Sequence, residues 1–371
     1  MKEGRDISAL SVPFAAGVAS GAAFLALRFS QDIGIVYAAA GIASAVAAAA
    51  AVWAGRCRRT AVVAVLFGSL GFFCALADGV GGRGLVGAKG PSDRAEGPVA
   101  RAAAALRGTV DAVPYPSPAT GPLVKALTTG DRSGLDRETV RTFRRSGASH
   151  LLALSGLHLG ILYLLLLRAM GVFGNAPAVR RIRGVLLVLL CGAYAAATGA
   201  SPSIVRAFLF ILLGETARLL GRPQPLLRIF CGALFLQLAF RPSVIGSAGF
   251  QLSYLAMAGI ALLYPKLKAW YPAADRRTDR WNLPRKMWEA MALAFSCQVF
   301  TAPLVWYHFR TFPPYFLLTN LLALPLTTGL VVLSAACMGL TALGCCPAFL
   351  VALNDRAAVL LLQVLGVIAS M

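Results

Sequence analysis

Residues 149–167, SHLLALSGLHLGILYLLLL, hold two of the chain's three histidines, His150 and His158, with Ser155 and Gly156, at the start of an otherwise apolar stretch. If that stretch is one helix, Ser155 and His158 share a face, as a serine nucleophile and its base would. No acid or oxyanion donor stands beside them, which weighs against an intramembrane serine hydrolase. The structural alternative has Ser155 bonding back to a helix carbonyl and each histidine meeting a partner on a neighbouring helix. In the same helix His150 and His158 lie about 12 Å apart along the axis and about 80° apart around it, so they cannot share one proton or one metal ion. No HExxH or CxxC spacing is present, so neither a metal site nor a cofactor is expected.

A second chemical signal is Arg206, one turn inside the apolar run of ATGASPSIVRAFLF, residues 197–210. A guanidinium at that depth costs about 2.5–3.5 kcal/mol on insertion scales unless it snorkels or faces a polar cavity, and its fork suits phosphate oxygens. Ser201 and Pro202 open the same segment. Gln251 and Ser253 stand early in GFQLSYLAMAGI, residues 249–260, and Asn320 and Pro325 in LLTNLLALPL are read as breaking a helix at membrane depth. Such a break is tolerated only where the freed backbone is buried in protein or lines water. Glu215 and Arg218, at i and i+3, read as a local ion pair. Asp355 and Arg356 are adjacent and point different ways, which suits a structural role.

The elements that must position these groups are membrane helices. Of 371 residues, 58% are hydrophobic and 13% charged, and the mean hydropathy is +0.72. The fold class is therefore all-α, a polytopic transmembrane bundle of about 10–11 helices. The spans are read at 10–28, 33–54, 60–77, 147–167, 184–201, 203–221, 226–240, 244–264, 287–308, 315–341 and 347–371. The formal net charge of +20 first reports orientation, because Lys and Arg are retained in cytoplasmic loops. With a cytoplasmic N-terminus, 19 of the 35 basic residues fall inside, and the short outside turns hold only Arg241 and Arg310. The loop 78–146 falls outside with eleven basic residues against seven acidic ones. It reads as a solvated face, with attraction of a polyanion as the alternative.

Four segments follow along the chain: N-terminal membrane helices over 1–77, an external linker and amphipathic helix over 78–146, a membrane bundle over 147–344, and a last helix over 345–371. The first apolar run reads as retained and not as a cleaved signal peptide. Residues 99–110 read as a short helix, and the four prolines of DAVPYPSPATGP, 111–122, break regular structure. In the amphipathic stretch Ser133 is the expected N-cap, with an apolar stripe of Leu135, Val140 and Phe143. Seven of the eight cysteines lie in or beside apolar segments, so no disulfide framework is indicated.

In order, the stretches ALTTGDRSGL, GASHLLALSGLHLGIL, ATGASPSIVRAFLF, FQLSYLAMAGI and QVFTAPLVWYHFRTFPPYFLLTNLLALPL resemble the ComEC family, the competence proteins thought to carry single-stranded DNA across the bacterial inner membrane. The resemblance covers about 125–341. It implies that 147–344 is a competence-type channel and that His150, Ser155, Gly156, His158, Ser201, Pro202, Arg206, Gln251, Ser253, Asn320 and Pro325 line the DNA path. It also implies a non-enzyme in the inner membrane, with single-stranded DNA and the lipid bilayer as partners, besides an external DNA-receptor protein and a cytosolic helicase-like ATPase. A homo-oligomeric pore stays open beside one within a single chain. Larger members carry an external OB-type domain and a metallo-β-lactamase-like domain. Residues 78–122 are too short and too rich in Gly and Pro for the first, and no HxHxDH cluster signals the second, so a reduced form is expected. Transport of another anionic or polymeric solute remains the competing reading.

Overall fold

The computed structural model describes residues 15–17, 19–20, 97–152, 154–174, 176–222, 225–271, 282–310 and 315–371. These are helices and turns, with no strand among the described residues. In chain order the helices are α1 (Pro98–Asp111), α2 (Thr120–Thr129), α3 (Arg137–Arg145), α4 (Ser149–Leu152), α5 (Gly156–Ala169), α6 (Pro177–Ala197), α7 (Pro202–Leu219), α8 (Leu226–Phe240), α9 (Ala248–Leu262), α10 (Tyr264–Ala269), α11 (Leu283–Phe309), α12 (Phe316–Ala342) and α13 (Ala348–Ser370). The spans read at 33–54 and 60–77, and most of 10–28, lie outside the described residues.

Hydropathy sets the long elements. Gly156–Phe173, Ala248–Ala269, Leu283–Phe309, Phe316–Ala342 and Ala348–Ser370 are long and apolar enough to cross a bilayer. Large apolar side chains such as Leu164, Leu189, Phe295, Leu322 and Leu360 face outward along these and neighbouring helices. In water that exposure would be unfavourable; in a bilayer the surroundings are as apolar as the side chains. The chain is a multi-pass membrane protein.

Contacts group the chain into two compact units, 1–90 with 209–254, and 91–208 with 255–371. In the second, Leu123, Leu127, Phe143, Leu151, Leu330, Leu361 and Leu365 form one core. Helices α2, α3 and α4 thus share a core with α12 and α13, which pack along each other. Small residues let backbones approach: a Cβ on Gly259 would collide with the carbonyl of Ser296, so only glycine seats the end of α9 on α11. In the first unit Leu238, Val244, Phe250 and Tyr254 pack together. There the Tyr254 hydroxyl donates to Gln237 Oε1 at 2.9 Å, and Glu215 pairs with Arg218 at 2.7 Å, the ion pair expected from their spacing.

Three local expectations change. The 147–167 stretch is not one helix: α4 ends at Leu152, and Ser155, in extended backbone at φ −110° and ψ 164°, caps a new helix. Asp136, not Ser133, is the N-cap of α3, accepting from Thr139 N at 3.1 Å. Ser133 instead donates its N–H and hydroxyl to Asp131 Oδ1 at 3.0 and 2.7 Å, a tight turn of the Asx kind. Finally, α12 runs unbroken through Asn320 and Pro325. A proline in a helix interior costs about 3 kcal/mol, and the packing of α12 along α13 outweighs it.

Candidate functional site

The end of one helix at Leu152 and the cap of the next at Ser155 create the site. Ser155 is followed by Gly156 at the first helical position, and His158 occupies the third, where a capping box usually carries Glu or Gln. The Ser155 N–H donates to His158 Nδ1 at 3.2 Å, and the Ser155 hydroxyl lies 3.2 Å from the same nitrogen. A bare Nδ1 is the acceptor the cap needs, so the ring proton belongs on Nε2. His158 is 2% exposed, and Nε2 has no hydrogen-bond partner among the described residues. The Ser155–His158 contact is thereby accounted for by helix capping. The nitrogen that a catalytic base would offer the serine already serves the backbone.

The start of α7 meets this cap. Ser201 O accepts the first helical bond, from Val205 N at 2.9 Å, and Pro202 sits where its fixed φ suits a helix start. Gly156 N donates to Ser203 Oγ at 3.4 Å. A Cβ on Gly156 would stand 2.9 Å from Arg206 Nη2 and 3.0 Å from Ala207 Cβ, so only glycine lets the two helix starts approach this closely. Arg206 is buried beside them and within electrostatic range of the Cys297 thiol on α11. Two helix N-termini, each the positive end of its dipole, thus converge on a buried guanidinium, and the hydroxyl of Ser201 is buried without a partner among the described residues. An anion is the ligand that such a junction favours.

His150 belongs to a neighbouring cluster. Its ring is exposed, Nδ1 lies 3.1 Å from Gly147 O, and the Asn320 side chain on α12 interacts with it. Asn320 Oδ1 is buried and makes no hydrogen bond among the described residues. Pro325, on the same helix, is exposed. Gln251 and Ser253 fall in the first compact unit, where Gln251 Nε2 donates to Ile245 O at 2.8 Å. Of the eleven sequence-read positions, Ser155, Gly156, His158 and Arg206 therefore come together at the two helix starts, Ser201 and Pro202 open the second of these helices, and His150 and Asn320 interact with each other. Among the described residues, no three His, Cys, Asp or Glu side chains gather as a metal site would require.

Residues the sequence did not single out support this arrangement. Arg132 Nε donates to Leu152 O at 3.1 Å, satisfying a carbonyl left open where α4 stops. Its loop is held by the Asp131 turn, whose hydrogen bonds from Ser133 keep the Asp131 carboxyl below its ordinary pKa. Gly130, at φ +79°, brings the loop onto Leu154. Thr319 Oγ1 donates to Ser146 O at 2.6 Å, tying α12 to the end of α3. The signal for Arg132 lay in ALTTGDRSGL; for Thr319 there was none beyond its neighbour Asn320.

Comparison with known proteins agrees with the family resemblance. The family model described as Competence protein matches residues 127–371. ComE operon protein 3 of Bacillus subtilis (strain 168) is 29% identical over 219 residues, 57% of this chain and 25% of the relative. The uncharacterized protein YcaI of Escherichia coli (strain K12) is 27% identical over 222 residues, 58% of this chain and 28% of the relative. The matched part thus spans about a quarter of each relative's length. No solved structure matches.

Proposed function

The chain belongs to the competence protein family, and from that premise we propose that its bundle forms a channel for uptake of single-stranded DNA across the inner membrane during natural transformation. The observation that carries this reading is the junction of the α5 and α7 starts around buried Arg206, with glycine at the point of closest approach. A strand crossing a bilayer brings one phosphate charge per nucleotide into a region of low dielectric, where an unpaired charge is costly. Two helix N-termini and a guanidinium offset that charge locally without a mobile counterion. His150 and Asn320 provide polar groups one step toward the outer mouth.

The N-terminus is proposed to be cytoplasmic, which places α3, α4 and the start of α5 on the outer side. No GxxxxGK[ST] loop occurs in the sequence, so the energy for movement is assigned to a cytosolic helicase-like ATPase, with an external receptor protein delivering the DNA. The test is transformation frequency in a deletion strain complemented with wild-type or Arg206→Gln protein at equal membrane levels. Deletion should abolish uptake of labelled single-stranded DNA while leaving other anionic solutes unaffected. Arg206→Gln, losing a charge-assisted contact, should lower transformation by about tenfold to a hundredfold. A deletion strain that still transforms normally, or a defect confined to another solute, would overturn the reading.

A further inference from the structure

Helix α3, RETVRTFRR, carries Arg137, Arg141, Arg144 and Arg145. At 3.6 residues per turn these four fall within an arc of about 100°, and all four are exposed. Phe143, on the opposite face, is fully buried in the core shared with α2, α12 and α13. Among the described residues no ion pair or hydrogen bond engages any of the four guanidinium groups. Glu138, the acidic residue of the helix, pairs with none of them.

A stripe of unpaired guanidiniums fits a partner with regularly spaced negative charge. Two polyanions could qualify, lipid headgroups and a nucleic acid strand. A helix that docks on a bilayer sinks a broad apolar face into it, whereas on α3 Phe143 is committed to the protein core and Val140 is the one large apolar side chain left exposed. The position of the stripe points the same way. α3 ends at Arg145 and is capped by Ser146, whose carbonyl is bound by Thr319, and three residues after Gly147 comes exposed His150, which interacts with Asn320. The stripe therefore leads directly to the polar groups ahead of the α5 and α7 junction.

We infer that α3 is a docking stripe for the phosphodiester backbone of single-stranded nucleic acid, which it presents to His150 and the junction beyond. The inference rests on the DNA-uptake reading and assigns the contact that precedes entry. The four arginines span about 12 Å of helix axis, and each offers one positive charge to the phosphates of a strand laid along it. Each guanidinium fork can take two oxygens of one phosphate.

The test uses the full chain in zwitterionic-lipid nanodiscs and a fluorescein-labelled oligothymidylate, followed by anisotropy over a series of salt concentrations. Replacing Arg137, Arg141, Arg144 and Arg145 together by Gln should weaken binding about tenfold or more at low salt. It should also reduce the slope of log K against log salt by about 2 to 3, since each single-strand phosphate contact contributes roughly 0.7. The matching Lys variant should restore most of the slope, which separates lost charge from lost folding. Equal affinity and slope for the wild type and the Gln variant would overturn the stripe. If the Gln variant instead loses association with phosphatidylglycerol vesicles while binding the oligonucleotide normally, the stripe serves lipid and the inference also fails. Both results leave the uptake reading intact, because that reading is judged by the deletion strain.

Discussion

Two polar clusters inside the second compact unit differ in one respect, whether their hydrogen bonds close. Around α13, Asp355 accepts from Ser117 N at 3.1 Å, Ser117 Oγ at 2.8 Å and Thr120 Oγ1 at 2.6 Å. Beside it Asn354 Nδ2 reaches Tyr115 Oη and Ser334 Oγ, both at 3.2 Å, and burial pushes the Tyr115 hydroxyl above its ordinary pKa. Every member has a protein partner. At the α5 and α7 starts, by contrast, His158 Nε2 and Ser201 Oγ are buried with none among the described residues, and a guanidinium lies beside them. A saturated network has nothing left to offer a ligand and acts as a clamp. An unsaturated one beside a positive charge carries a desolvation cost that a passing anion can relieve.

Breaking the clamp should have the largest effect on stability. Asp355→Ala leaves three donors from the 117–120 segment unanswered near the core, at a cost of about 2–4 kcal/mol. The measurement is thermal unfolding of detergent-solubilised protein, with membrane abundance by immunoblot. Transformation should fall only as far as abundance falls. A variant of normal abundance and stability that no longer transforms would move Asp355 from the clamp to the path, and the contrast between the clusters would fail.

Gly156→Val tests the other cluster by crowding. The added side chain meets Ala207 Cβ and the Arg206 guanidinium, and overpacking of this kind costs about 1–3 kcal/mol. Arg206 can swing aside, but Ala207 cannot, so the helix starts must separate. Transformation should drop more than abundance does, the reverse of the Asp355 pattern. Gly160, one turn on, has open space where a Cβ would go, and Gly160→Ala should leave both unchanged. Equal effects at the two glycines would mean that close approach at Gly156 has no functional meaning.

These contrasts also mark what the sequence could tell. The long elements were legible because hydropathy alone sets them: the apolar runs at 226–240, 315–341 and 347–371 are α8, α12 and α13 to within a residue or two. The membership of Arg206 and Gly156 in one site was legible as a pattern of polar residues, though not as a contact. What failed was local balance. LLALSG stays apolar across the end of α4, so only Ser155 and its unusual histidine partner announce the new helix. At Pro325 the local penalty was visible and the packing that overrides it was not. Asp355 could be read as structural, but its partners had no local signal, because Ser117 and Thr120 stand 238 and 235 residues away.

The smallest expected effect is at Ser155, and it separates two kinds of chemistry. Ser155→Ala keeps the backbone N–H that His158 Nδ1 accepts and removes only the hydroxyl, so the cap weakens by about 0.5–1 kcal/mol. Transformation should change less than threefold, because neither helix start nor Arg206 moves. A nucleophile would behave otherwise: its loss would abolish turnover whatever the stability, and the wild type would label with a fluorophosphonate probe. The geometry speaks for the cap, since the histidine nitrogen facing Ser155 Oγ also faces Ser155 N at the same 3.2 Å. One lone pair cannot both hold the backbone and take the hydroxyl proton.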